Sequence, residues 1–526
     1  LRFAGVFAAV WLALVPAAAR AQSVEDVVVS PQSSGHWLRA ESEHVIVYSD
    51  EKADVLRKTV ADLEALDGVL RALYGKSDAP APRKFPIYLV RAVARGEAVN
   101  TQYQRFMPDA PVTALSLDVA EVDDIFAVVV RDDFAFFNVV DKTVGDDGVL
   151  GAYALHFFSE NFPFRQPRWL TKGAGIYYSS ADIGPDKVVV GKTPAMFDDA
   201  QGLRDLKKIT SIIAETGDDW SYAERQRYDA QSALLVRYLW ADPDRKARLA
   251  AYLDRIQGGE RDLTATWSEV FGQPIDKLPE AIKAFLSARQ AAGGPSTASI
   301  PRSSRAPTIK IRRMPKGADD LILEVQQLKT GFVADRPGLL RHFQRAAARR
   351  PDDRYTRQAL ARAEITLAGQ GGGDRDKGEA LLEGLLKEDS GNLEALRLMG
   401  TSKLYRAAAA DKADRPALLA QAREYLVKAD AAEPNDYQTL FLLAQTMAVG
   451  DTPSPERLAL LRRAVSLAPE VAKIRLVAAV AFLMGNDADT AYQLLKPISA
   501  DPYGGAEARQ AKKLLDVMAR ARAERP

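Results

Sequence analysis

The chain has no cysteine among its 526 residues. That excludes disulfides, thiolate metal sites, a thiol nucleophile and a lipid-modified cysteine anchor. Histidine is scarce: only His36, His44, His156 and His342 occur, and no two stand at the HxH, HxxH or HxxxH spacings that bring a pair of imidazoles to one metal. Net charge is nearly absent, since 71 Lys and Arg against 70 Asp and Glu leave +1. No global field therefore draws the chain to nucleic acid or an acidic bilayer, and any partner is recognised locally. There is no Gly-x-Ser-x-Gly nucleophile elbow, and Gly173-Ala174-Gly175 is too short to cradle a phosphate.

What is present is a chain too long for one core and long enough for two or three domains. Residues 1–21 have an early Arg2, an apolar run and a closing Ala19-Arg20-Ala21, the build of a cleaved secretory signal. The run is broken by Pro16 and is shorter than the roughly 20 residues a membrane span needs. The expectation is a periplasmic or secreted protein with no stable membrane span in its mature form. Val45 to Tyr48 and Phe85 to Val90 read as strands around a helix from Glu51 to Tyr74, the opening of an α+β layer. Val112 to Val119 and Ile125 to Val130 are two further strand candidates. Helical segments follow, at Tyr228 to Leu239, Arg245 to Ile256, Trp267 to Phe271 with its glycine stop, and Leu278 to Leu286.

Residues 291–317 turn to Gly, Ser, Pro and Ala, then to Arg302, Arg305, Lys310, Arg312, Arg313 and Lys316 without an acid among them. This reads as a solvated linker, with a short strand at Thr308 to Ile311 or a strip for an acidic partner as alternatives. From 318 to 526 the chain is helical and repetitive. Pro351, Pro434, Pro469 and Pro502 each follow an amphipathic helix, and the last three recur close to the 34-residue period of tetratricopeptide repeats. First helices are expected at Tyr355 to Leu367, Leu393 to Tyr405, Tyr437 to Met447 and Ile474 to Met484, and a solvating cap at Ala506 to Ala523. A plain helical bundle is the competing architecture.

The stretch that bears on chemistry runs from Val149 to Ser180. It contains Tyr153, Ala154, His156 and Phe157, then Pro167, Trp169, Leu170, Gly173, Tyr177 and Tyr178. It resembles the helix pair of peptidase MA-like gluzincins, in which an HExxH helix supplies two zinc ligands and a general base, and a following helix a third ligand. Trp37, His44 to Ser49, Tyr228, Gln231, Ser232, Tyr238, Leu239, Phe271 and Gly272 extend the resemblance over roughly residues 36 to 290. In that register Gly151 and Leu155 stand where the two histidines belong, Ala152 replaces the base, Lys172 the third ligand and Ile176 a later glutamate. A register shifted by one leaves His156 as the only imidazole, which cannot hold zinc alone. An ammonium at a ligand position repels a divalent cation. Lys172 either fills the former metal pocket, bonded to carbonyls or a carboxylate, or carries its charge out to solvent.

The resemblance implies a zincin-like domain over 22–290 with no catalytic residue, no metal and no cofactor, in which Tyr153, His156, Trp169, Gly173 and Tyr177 persist as framework. The functional expectation is an inactive, exported scaffold that holds a protein or peptide in the groove of a tetratricopeptide-like solenoid, with no nucleic-acid partner. The alternative is a hydrolase, peptidase or cell-wall acting, that uses a site the sequence does not disclose.

Overall fold

The structure is a computed structural model that describes residues 35–77, 79–91, 116–120, 122–131, 148–162, 167–192, 206, 209–214, 222–258, 260, 262–292, 297–303, 305–330, 333, 335–369, 371–448, 452–500 and 505–523. The signal-like segment 1–21, residues 112–115 of one strand candidate, and Pro502 lie outside the described residues.

A six-stranded sheet organises the first half, with strand order β4-β5-β3-β2-β1-β9. Its members are β1 (Leu38–Glu41), β2 (Val45–Ser49), β3 (Phe85–Arg91), β4 (Ser116–Ala120), β5 (Ile125–Arg131) and β9 (Lys310–Arg313). Strands β2, β3 and β5 run parallel, while β1, β4 and β9 pair antiparallel to their neighbours. The crossover from β2 to β3 is α1 (Ala53–Tyr74), closed by Gly75 in the left-handed conformation at φ 63°, where a glycine carries no steric cost. Side chains of a strand alternate between faces. Val45, Val47, Ile87, Leu89, Ala127 and Val129 join α1 and α2 (Gly148–Asn161) in one core. Tyr88, Phe126 and Val128 point the other way, into a core with Trp37, Met314 and α9 (Ala318–Thr330). Both faces of the sheet are covered, which explains why β5 reads as an unbroken apolar run.

Behind α2 lies a helical layer: α3 (Arg168–Ser179), α4 (Ile209–Ala214), α5 (Tyr222–Trp240), α6 (Pro243–Gln257), α7 (Leu263–Phe271) and α8 (Leu278–Ala291). Its core gathers Trp169, Leu235, Leu239, Tyr252, Trp267 and Ile282, all fully buried or nearly so. A second sheet of three strands joins β6 (Asp182–Ile183), β7 (Lys187–Val190) and β8 (Ala298–Pro301).

The stretch 291–317 carries a strand near the one expected at Thr308 to Ile311, and it is built into the sheets where its composition suggests a solvated linker. β8 pairs with β7, and β9 pairs with β1 in the register Leu38 to Arg313 and Ala40 to Ile311. The charges conceal a period of two: Ile311 is buried in the core while Lys310 and Arg312 are exposed. The first unit therefore closes only after residue 313, beyond the boundary expected at 290.

The second half is a run of antiparallel helix pairs. They are α9 with α10 (Arg336–Arg349), α11 (Arg354–Thr366) with α12 (Arg375–Glu388), α13 (Leu393–Ala409) with α14 (Arg415–Ala432), α15 (Tyr437–Thr446) with α16 (Pro455–Leu467), and α17 (Ala472–Met484) with α18 (Ala488–Ser499). A final helix, α19 (Ala506–Ala523), packs on the last pair. The side chains of Asp335, Asp353, Asp374, Asn392, Asp436, Ser454 and Asp487 each accept a backbone N–H at the start of a helix, caps worth about 1 kcal/mol apiece. Within pairs, Phe343, Leu426 and Leu461 are fully buried next to Ala346, Ala429 and Ala464, the large and small alternation that lets neighbouring helices approach. The all-α repeat region is thus tetratricopeptide-like in build. Its first pair begins one helix earlier than the prolines indicate, and α12 ends without a proline at Asp389. Among the described residues no helix is long and apolar enough to cross a membrane.

Placing a carboxylate at Ile311 separates a strand from a linker. Ile311→Asp is expected to cost about 3 kcal/mol or more in urea unfolding, since it buries an unpaired charge, whereas Arg312→Asp at the exposed neighbouring position should change stability by under about 1 kcal/mol.

Candidate functional site

Helix α2 is buried from Val149 to Ala154 and from His156 to Phe158. It packs on the sheet through Tyr153 and Phe157 and on α3 across its opposite side. At that crossing the helices approach closely over glycines, with the Leu155 side chain lying on Gly175. A β-carbon on Gly151 would lie 2.9 Å from the Gly175 carbonyl oxygen, and one on Gly175 would lie 3.0 Å from Leu155 Cγ. Gly151 and Leu155, which stand at the expected histidine positions, are therefore brought together against α3. Ala152 and Ile176 are buried beside them. Lys172 is not part of this contact. Its side chain is 44% exposed and its ammonium lies 3.4 Å from Asp229 on α5, the solvent-side placement of the two the sequence allows. Burial pushes the Asp229 pKa up, and the Lys172 charge offsets this only in part.

The framework residues act as packing groups. Trp169 is fully buried and meets Trp267 edge-on at 6.2 Å. A β-carbon on Gly173 would lie 2.4 Å from the Ser232 carbonyl oxygen, so the approach of α3 to α5 requires glycine. Tyr177 is edge-on to Trp240 at 5.0 Å, and burial pushes its hydroxyl up to about 12. His156 stacks on Phe85 at 3.6 Å, 2° from parallel. Burial, with Arg83 and Arg71 nearby, holds its pKa well below the usual histidine value, so the ring is neutral.

Sequence reasoning did not find the most concentrated group of ionisable side chains in this half. His44 at the start of β2, Glu64 and Asp67 on α1 offer ligand-type atoms within 4.8 Å of one another. Each is already engaged. His44 Nδ1 lies 2.8 Å from Glu64 and 3.3 Å from Asp67, and its Nε2 lies 3.3 Å from the Ala79 carbonyl. Arg71 Nε donates to Asp67 at 2.6 Å, the Tyr153 hydroxyl donates to Asp67 at 2.5 Å, and Ser42 Oγ donates to Glu64 at 2.6 Å. With Arg71 in the cluster and every oxygen bonded, this is a saturated network joining β2, α1 and α2, in which both imidazole nitrogens face acceptors. Burial alone lowers the His44 pKa, but the hydrogen bond to Glu64 and the charges of Asp67 and Glu64 outweigh it, and the net shift is upward. Glu64 is shifted down, because His44 and Ser42 outweigh burial.

The two halves meet along the first helices of the repeat pairs. Consecutive first helices touch one another, as on the inner side of a stacked-pair solenoid. That side is occupied. Asp124, between β4 and β5, lies 2.5 Å from Lys329 on α9, and Gln438 on α15 donates to the Asp123 carbonyl. Arg83, before β3, reaches Glu160 at 3.2 Å, Glu470 at 2.7 Å and the Leu467 carbonyl at 3.0 Å. Tyr355 of α11 packs with Tyr88 and Phe126 of the sheet. Beneath this contact Arg362 and Arg397 both pair with Glu394, and Arg397 pairs with Asp436 at 2.9 Å. The inner face expected to hold a partner meets the chain's own first half at α9, α11 and α15 and at the turn after α16. Apolar patterning locates helices but not what covers them, so this was not visible in the sequence.

Two outcomes follow from these contacts. Stability from the His44 network should be present below the imidazole's unfolded value near 6.5 and lost as pH rises through its higher folded value. The share from Glu64 should be present above 4.5 and lost as pH falls through its lower folded value. Urea unfolding across pH should show both limbs, and His44→Gln should remove the alkaline one at a cost of about 3 kcal/mol. At the junction, Asp124→Lys should open the halves and raise amide exchange in α15, and the pair Asp124→Lys with Lys329→Asp should restore protection.

No protein-family model matches the chain, and no curated protein matches it. Solved structures similar to it include TTC0263, a thermophilic TPR protein of Thermus thermophilus, at 20% identity and a TM-score of 0.32 over 38% of this chain and 98% of that one. A MamA double mutant is similar at 18% identity and a TM-score of 0.26, over 39% of this chain and 98% of that one.

Proposed function

We propose that the chain is an exported, catalytically inactive scaffold: a gluzincin-like unit without its ligand set, joined to a tetratricopeptide-like array that engages another protein. The observation that carries the inactive reading is the direct contact of α2 and α3 at Gly151, Leu155 and Gly175. Two helices whose backbones meet at van der Waals distance leave no room for a cation or a water between them, and the residues there offer no ligand atom. The array supports protein binding because stacked helix pairs present long surfaces with many shallow contacts, suited to peptides and helices. With the inner side taken by the sheet, a partner meets the outer helices and the ends of the array or displaces the sheet unit.

Purified protein incubated with zinc and desalted should retain no stoichiometric metal, and mixed peptide substrates should show no chelator-sensitive cleavage. Stoichiometric zinc that supports cleavage, and that is lost on Lys172→Ala, would overturn the inactive reading. The full chain used as bait against an envelope or secreted fraction should capture a partner saturably, and the charge-reversed Asp124→Lys variant should change the amount captured. No saturable capture by either form counts against the scaffold.

A further inference from the structure

The first half carries an open groove, with a volume of about 560 Å³, far from the α2–α3 crossing. Its floor is one stripe of α8: Ala281, Ala284, Phe285, Ala288 and Ala292, at the spacing of a single helical face. Its wall is Tyr238 of α5, which meets Phe285 edge-on at 5.7 Å. Two guanidinium groups complete it. Arg245 of α6 lies 4.3 Å over the Tyr238 ring and 5.7 Å from Phe285, and Arg289 of α8 lies 5.5 Å from Phe285. Arg245 spends its Nε hydrogen on the Tyr238 carbonyl at 2.8 Å, which fixes the fork and leaves its terminal N–H groups free for a ligand. Among the described residues neither arginine forms an ion pair, although the Asp242 carboxylate, which accepts the Arg245 backbone N–H at 2.9 Å, also feels the Arg245 charge.

We propose that this groove binds an amphiphilic anion, its carboxylate or phosphate head between Arg245 and Arg289 and its apolar body along Phe285 and the alanine stripe. A volume in the usual range for small ligands, an apolar lining and two convergent polar groups are the composition of a ligand site. A planar guanidinium held on an aromatic face is oriented for forked recognition of carboxylate or phosphate oxygens. The alanines matter because any longer side chain at 284 or 288 would occupy the space. This inference is independent of what the helical repeats bind.

The test is calorimetric titration of the full chain with dodecanoate, dodecyl phosphate and dodecyltrimethylammonium, each below its micellar concentration. An acidic helical peptide is the fourth titrant. The two anions should bind at one site and the cation should not, with the tighter anion identifying the head group. Arg289→Ala should weaken anion binding about tenfold, the loss of one charge-assisted contact, and Ala288→Trp should abolish it, with thermal unfolding unchanged in both because the two positions lie at an open face. Equal binding of the cation, anion affinity unmoved by Arg289→Ala, binding of the peptide alone, or no binding by either anion would each overturn the proposal.

Discussion

The constraint on which the rest of the structure depends is the double-sided sheet. Phe126 and Val128 of β5 face one way while Ala127 and Val129 face the other, and none of them can be left in water without exposing a large apolar patch. The helices α1 and α2 cover only one side. The other is covered by α9 with Tyr355 of α11, while residues of α14 to α17 join the core on the α1–α2 side, so the sheet's two apolar faces bind the two halves together. The charged contacts at the junction, Asp124 to Lys329 and Arg83 to Glu470, set register and orientation on top of that apolar drive. Pairs buried in this way contribute little net stability but are costly to break, which makes the alignment of the halves specific.

The same logic of direct contact governs the α2–α3 crossing. A metal site needs side chains that reach inward and a cavity that holds the ion; Gly151 and Gly175 supply neither, and they bring the backbones together instead. Lys172 then has no cavity to enter and turns to Asp229. The buried ionisable groups that persist serve to connect elements. The His44 network joins β2, α1 and α2 through one imidazole, two carboxylates, a guanidinium and a phenol, with every charge answered by another. Arg245 and Arg289 of the α8 groove form no ion pair among the described residues and lie instead against aromatic rings.

The proposed roles therefore sit on surfaces and not at the α2–α3 crossing. The inner side of the solenoid serves the chain's own sheet. The outer helices and array ends, and the groove on α8, are what remain for other molecules.

Much of the secondary structure was legible in the residues alone. The β2–α1–β3 crossover, the glycine stop after Phe271 and the first helices near 354, 393, 437 and 472 all follow from apolar period and capping residues, which act locally. That positions 151, 152, 155, 172 and 176 carry no imidazole or carboxylate was likewise readable, because it depends on residue type alone. Only the tertiary structure decided the rest. It paired the strand near Thr308 to Ile311 with β1, drew His44 to Glu64 and Asp67, brought Arg245 and Arg289 to Phe285, and set the sheet against the first helices of the repeats. Each of these depends on residues far apart in the chain meeting in space, and a periodic pattern records which face is apolar without recording what will lie against it.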